Sequence, residues 1–282
     1  FSILFFLANC ASVPEIAPEK IDLNSSYSTN EISQIRANNP DKNYKDPRSY
    51  YHFLMAIKAE REWDFEEAVK NYEKVVEHDP KNHEFNLTLA RLLLRMGKLA
   101  EVEKVSKEAL QRFPNDEVFS IILAGILSSF GRNEEALSYL KNGLENSSKK
   151  SKTYALAGAI YLKNKEFEKA REMFKKLVLI SPSNPLGHHY LGTSQAKLNR
   201  FNKAEESLRK ALGLRPSFKK SRHFLAWVLE KKGLREKAIA QYSFLLKLDP
   251  EDKIARELLA RLILADEKNE KIIYEGFSMP ED

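Results

Sequence analysis

Small apolar residues return along this chain at a fixed step of 34. Ala56, Ala90, Ala124, Gly158, Gly192 and Ala226 form one ladder, and Ala68, Val102, Ala136, Ala170, Ala204 and Ala238 form a second in phase with it. Pro80, Pro114, Pro182, Pro216 and Pro250 form a third, with Ser148 in the one slot that lacks a proline. A fixed period between about 20 and 50 residues is the signature of a repeat architecture. The pattern predicts six two-helix units, at 49–82, 83–116, 117–150, 151–184, 185–218 and 219–252. Each ladder has a physical task. The small residues let the paired antiparallel helices approach closely, while Met55, Leu89, Leu123, Leu191 and Leu225 beside them fill the remaining space. Gly97, Gly131 and Gly233 fall between the two helices, where a left-handed backbone commonly ends a helix. Trp63, Lys165 and Asn199 occupy the same slot. Asn suits it, whereas Trp63 and Lys165 predict a slightly different or strained turn. The prolines then stop the second helix, because the ring disfavours helical geometry in the residue before it.

Outside the repeats the pattern changes. Ile254 to Leu264 interleaves apolar and charged residues and predicts a capping helix over 253–265 that shields the last repeat. Residues 266–282 read as a polar tail in which Ile272, Ile273, Tyr274 and Phe277 offer local docking. Residues 11–48, rich in Ser, Asn, Pro, Asp and Glu, have no long apolar period and read as a flexible tether. Phe1 to Leu7 is apolar but far shorter than the roughly 20 residues that a membrane-spanning helix needs. Abundant Ala, Leu, Lys and Glu, with only ten glycines and eleven prolines, agree with an all-α fold.

The repeats resemble the tetratricopeptide family. Ala56, Phe65, Ala68, Tyr72 and Pro80 carry the likeness in the first unit; Tyr154, Gly158, Tyr161, Phe167, Ala170, Phe174 and Pro182 carry it in the fourth. The third unit departs most, with Asn133 in an aromatic slot and Gly143 in an alanine slot. The resemblance implies a right-handed superhelical solenoid whose concave groove is lined by the first helix of every repeat. In the carboxy-terminal half that register holds Lys152, Lys163, His189, Tyr190, Lys197, Lys220, His223, Trp227 and Lys231, a mixture of cations and flat rings suited to a protein or peptide ligand, including an acidic one. In the other half it holds Phe53, Ile57, Leu87, Leu94, Ile121 and Ile122, a more apolar surface. The residue set of the family's chaperone-tail carboxylate clamp has no match here.

Charge sharpens the contrast between the halves: the formal net charge of +6 divides into +11 over 151–252 and −5 over the rest. Such an excess reads first as a solvated outer surface and second as a face for an acidic partner. Sequence signatures of nucleotide loops, zinc proteases, EF-hands and nucleophile elbows are absent, and the repeats leave no stretch of about 100 residues for a catalytic domain. The expectation is a non-enzymatic scaffold with no cofactor. His188, His189 and His223 come close in register but lack a carboxylate or third ligand that would make them a metal site. The basic half has no stacking platform of the kind that single-stranded nucleic acid requires, so nucleic acid is not an expected partner.

Cys10 is the only cysteine. Leu7-Ala8-Asn9-Cys10-Ala11 resembles the lipobox of bacterial lipoprotein signal peptides, although Asn9 stands where Gly, Ala or Ser is usual. The resemblance implies a signal segment over 1–10, truncated at its start, with lipidation of Cys10 and an envelope location. Ala11 after the cysteine favours the outer membrane, facing the periplasm. The resulting expectation is a membrane-anchored scaffold that positions envelope partners. Two alternatives stay open: a soluble, self-associating platform, and an accessory subunit of an enzyme.

Overall fold

The computed structural model describes residues 46–145 and 151–264. Cys10 and the signal-like segment, nearly all of the tether and the polar tail lie outside the described residues. Within them the chain is entirely α-helical, an arrangement of antiparallel helix pairs. The helices are α1 (Pro47–Arg61), α2 (Phe65–His78), α3 (His83–Arg95), α4 (Leu99–Arg112), α5 (Glu117–Ser129), α6 (Asn133–Glu145), α7 (Ser151–Lys163), α8 (Phe167–Ile180), α9 (Pro185–Lys197), α10 (Phe201–Leu214), α11 (Lys219–Lys231), α12 (Arg235–Leu248) and α13 (Lys253–Leu264). None of these is long and apolar enough to cross a membrane. They form two compact units that divide at Gly143 and Leu144, near the end of α6, and each is described here as its own stack.

Local chemistry fixes the ends of the helices. Asp46, Asp64, Asn82, Asp116, Asn184 and Asp252 each accept a backbone N–H from the first turn that follows them. Such side-chain caps satisfy amide donors that a helix start leaves open. The cap at Asp46, followed by Pro47 at the first helical turn, starts α1 two residues inside the segment read as tether. The Asp46 carboxyl is held down at about 2 by its hydrogen bonds and ion pair with Arg48. At the other ends, Pro80, Pro114, Pro182, Pro216 and Pro250 each stand two residues after the last residue of α2, α4, α8, α10 and α12. The residue between has left helical geometry, as the proline ring requires.

The turn slot decides between the two expectations for Trp63 and Lys165, a different turn or a strained one, in favour of strain. Trp63, Lys165 and Asn199 take φ of 63°, 61° and 58°, and Gly97, Gly131 and Gly233 take 74°, 80° and 71°. All six turns are therefore left-handed, and Trp63 and Lys165 adopt the glycine conformation rather than a different one. The strain is real because a side chain in this region meets the following carbonyl. Trp63 endures it on the surface, 80% exposed, with its ring edge against Phe65.

Both small-residue ladders run through the interiors of the stacks. Ala56, Ala90, Ala124 and Ala226 are fully buried, as are Ala68, Val102, Ala136, Ala170, Ala204 and Ala238. Where the first ladder drops to glycine, the trailing helix has moved into the space. A Cβ on Gly158 would lie 2.7 Å from the Phe174 ring, and one on Gly192 would lie 2.7 Å from Leu208 Cγ. These are approaches that only glycine permits.

The first stack centres on Ala56, Tyr72, Phe85, Leu89, Leu93 and Phe119, and the second on Leu208, Phe224, Leu225, Val228, Tyr242 and Leu245. Three residues expected on an apolar surface of the first stack, Leu87, Ile121 and Ile122, are buried, and Phe53 and Leu94 pack against the core. The apolar register there belongs largely to the interior, because branched side chains at these positions fill the spaces between successive helices.

Candidate functional site

In the second stack the leading helices of successive pairs, α7, α9 and α11, touch one another as a layer. Each of the three ends on a lysine: Lys163, Lys197 and Lys231, all exposed. Lys152 and Lys220, near the starts of α7 and α11, are exposed as well. A lysine in the last turn complements the negative end of its own helix. The chain spends the 34-residue register on placing these ammonium groups one per repeat.

Two half-buried rings interrupt the lysines. Tyr190 stacks on Phe174, with centroids 5.2 Å apart and planes 19° from parallel. Trp227 meets Phe201 edge-on at 6.1 Å, and Lys231 Nζ lies 5.7 Å from the Trp227 centroid. A cation over an indole face is attracted to the ring quadrupole. Trp227 and Lys231 thus form one amphipathic feature, with part of the indole surface left to solvent.

The two histidines expected beside them do other work. His189 is 1% exposed, so its imidazole belongs to the interior and not to a binding face. It is enclosed by Tyr190, Phe218 and Phe224, with Nδ1 3.0 Å from Ser221 Oγ, while Nε2 is buried without a hydrogen-bond partner. Burial, with a smaller contribution from the charge of Lys220, pushes its pKa down to about 3, so the ring is neutral at pH 7. His223 is partly buried and donates from Nε2 to Asp252 Oδ2 at 2.7 Å. The other oxygen of Asp252 caps α13 through the Ala255 amide at 2.9 Å. His223 therefore fastens the terminal helix. His188, also buried, donates from Nε2 to the Pro182 carbonyl at 2.8 Å. Among the described residues, no cluster of three or more His, Cys, Asp or Glu is placed to hold a metal.

The register also brings together groups that the sequence reading passed over. Tyr72 donates to Glu60 Oε1 at 2.8 Å, and Arg95 to Glu60 Oε2 at 2.7 Å. Tyr242 and Arg261 hold Glu230 in the same manner. Glu60 and Glu230 stand at one repeat position, five repeat lengths apart, as do Tyr72 and Tyr242. That doubled spacing was the signal in the sequence. Burial and the neighbouring Glu230 charge push the Tyr242 phenol up, which keeps it a donor. At the position of Glu60, the pairs built from α7 and α9 carry Leu162 and Ala196. Lys197 and Lys231 follow these two residues in the place that Arg95 holds relative to Glu60.

Three family models, each described as tetratricopeptide repeat, match residues 61–126, then 151–184 and 189–218, then 225–271, together more than half of the chain. No protein of curated function matches the sequence. Among solved structures, PilF of Pseudomonas aeruginosa aligns with a TM-score of 0.61 at 17% identity, over 76% of this chain and 97% of that one. A tetratricopeptide protein of Cytophaga hutchinsonii aligns at 0.59 and 18% identity, over 80% and 91%. YrrB, described as a tetratricopeptide protein with an unusual peptide-binding site, aligns at 0.58 and 14% identity, over 66% and 96%. At these identities the likeness is one of fold.

Proposed function

Because the chain belongs to the tetratricopeptide repeat family, whose repeats mediate protein–protein interaction, we propose that it is a non-enzymatic scaffold that holds a protein or peptide partner on the leading-helix layer of its second stack. One observation carries the reading: Lys163, Lys197 and Lys231 end successive leading helices as exposed cations, with the half-buried Trp227 and Tyr190 among them. Rings of this kind supply buried area at an interface, and the ammonium groups supply orientation and faster encounter with an acidic partner. YrrB, of similar fold, is described as having a peptide-binding site, which supports the choice of partner class.

The same reading places the protein in a bacterial envelope. Cys10 would be lipidated, and residues 11–45 would separate the anchor from the stacks. Stable attachment would require more than one acyl chain, since a single chain binds membranes only marginally.

Both parts are tested with the native gene, tagged at the carboxy terminus. Partners co-purifying with native protein should be lost when Lys197→Glu and Lys231→Glu are combined, with an unchanged melting temperature. Retention of every partner by the double variant would remove the layer from the binding surface. Separately, Cys10→Ser should move the protein from the membrane to the soluble fraction. If native protein is already soluble, the envelope reading fails and a self-associating platform takes its place.

A further inference from the structure

From α3 onward the leading helices start at His83, Glu117, Ser151, Pro185 and Lys219, and α13 starts 34 residues after the last of these, at Lys253. It occupies the place of a seventh leading helix. Its side towards the preceding pair is closed, because Ala255 and Leu262 are buried, as are Ser221 and Val228 one repeat earlier. The other side is open. Ala260 continues the ladder of Ala56, Ala90, Ala124 and Ala226, which are all fully buried, yet Ala260 itself is exposed. Ile263 is 54% exposed where Leu93, Leu127 and Leu229 are fully buried.

In the complete pairs the trailing helix covers the ladder position: Phe174 and Leu208 press on Gly158 and Gly192, and a Cβ on Gly192 would lie 3.2 Å from the Ala204 carbonyl oxygen. Among the described residues α13 has no such cover. Its apolar side also departs from the polar outer face that keeps the end of a repeat stack soluble.

The sequence beyond α13 continues in phase. Three residues join each earlier leading helix to its trailing one, and a seventh trailing helix in that register would begin at Asn269, 34 residues after Arg235. Ile272 then falls on the ladder of Ala68 and Val102, and Met279 falls on the position of Val75, Leu177 and Leu245, all of them buried. Gly276 takes the position of Ser106, a small residue that is fully buried in the pair whose leading helix carries Leu93. Pro280 comes next and disfavours helical geometry before it. One of the matching tetratricopeptide models runs past α13 to residue 271.

We propose that residues 269–279 lie along α13 as a shortened trailing helix and complete a seventh repeat, with Ile272 and Gly276 against Ala260 and Ile263. Residues 265–268 connect the two elements directly, so docking within the chain has the advantage of effective concentration over any second copy. The pairing seals the end of the second stack. Its apolar face is then closed to the head-to-tail contacts by which further copies would extend the solenoid. It does so whatever partner the lysine layer holds.

The test uses the full chain with Cys10→Ser, which leaves it without cysteine. Ala260→Cys is combined either with Ile272→Cys, on the inner ladder, or with Tyr274→Cys, at the position of Lys70, Lys104, Ser138 and Glu206, all exposed. Mild oxidation should cross-link the first combination within one chain at least about tenfold faster than the second, because a disulfide requires Cβ atoms about 4 Å apart. Ala260→Cys alone should be alkylated by iodoacetamide about tenfold more slowly in the native chain than in urea, and adding Ile272→Asp with Met279→Asp should restore the fast rate. Equal cross-linking of the two combinations, or alkylation in the native chain as fast as in urea, would overturn the proposal. Cross-links that join two chains would overturn it as well, and would assign the open face of α13 to a second copy.

Discussion

At the end of its second leading helix the first stack carries Arg95, whose guanidinium reaches back to Glu60 and lies over Phe65. At the same place the second stack carries Lys197, with Leu162 where the glutamate would be. One repeat register thus serves two ends. In the first stack it closes charge inward and contributes to holding adjacent pairs together; in the second it sends charge outward. The terminal repeat of the second stack returns to the closed form, with Glu230 held by Tyr242 and Arg261 across to α13. The difference teaches that the stacking of this chain does not need these charges everywhere. Where an acid is kept it fastens an end, and where it is dropped it leaves a cation for something else.

The largest expected effect comes from opening the closed clusters. The Glu230 side chain is 5% exposed, and Glu230→Leu removes the carboxylate that pairs with the Arg261 guanidinium and accepts from the Tyr242 hydroxyl in a nearly dry site. Removing one partner of a buried ion pair costs about 3–5 kcal/mol. Glu60 is 28% exposed, so Glu60→Leu should cost nearer 1–2 kcal/mol, mostly from the lost hydrogen bond with the Tyr72 hydroxyl. Urea unfolding of the two variants measures the gap. Equal losses would show that burial does not distinguish the two ends.

Acid should act on the second stack through His189. The sign follows from its neutral buried ring: the folded state binds the proton only near pH 3, whereas the unfolded chain binds it near the ordinary value of 6.5. Stability is therefore full above pH 6.5 and falls as the pH drops from there towards 3. At pH 5 the loss is about 2 kcal/mol. In His189→Phe, which keeps an aromatic ring among Phe218, Phe224 and Tyr190, the loss between pH 7 and pH 5 should shrink by that amount. A variant with the wild-type pH dependence would place the acid sensitivity elsewhere.

These two tests also mark what the sequence could convey. The ladders of alanine, glycine and proline were legible because each encodes a steric demand that repeats with the backbone. They gave the helix pairs, the seam and the turn positions. His189 was not legible, because its exposure depends on Phe218, at the end of its own repeat, and Phe224, in the next, which close over it, and a pattern read one position at a time treats histidine as polar. Leu87, Ile121 and Ile122 failed in the same way: they fell on an expected surface that their neighbours fill. His223 was placed in the right layer, but its partner, Asp252, is the capping residue of α13, a position that the alanine, glycine and proline ladders do not mark. The lysines ending α7, α9 and α11 were legible because exposure at a helix end needs no partner to produce it.

A smaller effect distinguishes the turns within the first stack. Trp63 and Gly97 occupy equivalent left-handed positions, at φ of 63° and 74°. Trp63→Gly should relieve about 1 kcal/mol of backbone strain, partly offset by the greater freedom of glycine in the unfolded chain. The net gain, about 0.5 kcal/mol, is readable as a rise in urea midpoint at unchanged slope. A loss would mean that the Trp63 contact with Phe65 outweighs the strain.

The smallest change in stability should accompany the most informative substitution. Leu162→Glu writes into the second stack the acid that the first stack has at Glu60, one repeat before Lys197. Leu162 is only partly buried, and a new exposed pair with Lys197 contributes about 0.2–1 kcal/mol, so loss of apolar contact and gain of the pair should nearly cancel. Binding should respond far more than folding. With its ammonium group engaged from within, Lys197 no longer meets an external carboxylate, and an acidic partner should bind several-fold more weakly while the melting temperature hardly moves. Leu162→Gln, equal in size but uncharged, should leave affinity close to the wild-type value. If the two substitutions weaken the partner equally, the layer binds through apolar contact at Leu162, and the contrast in charge between the stacks is incidental to function.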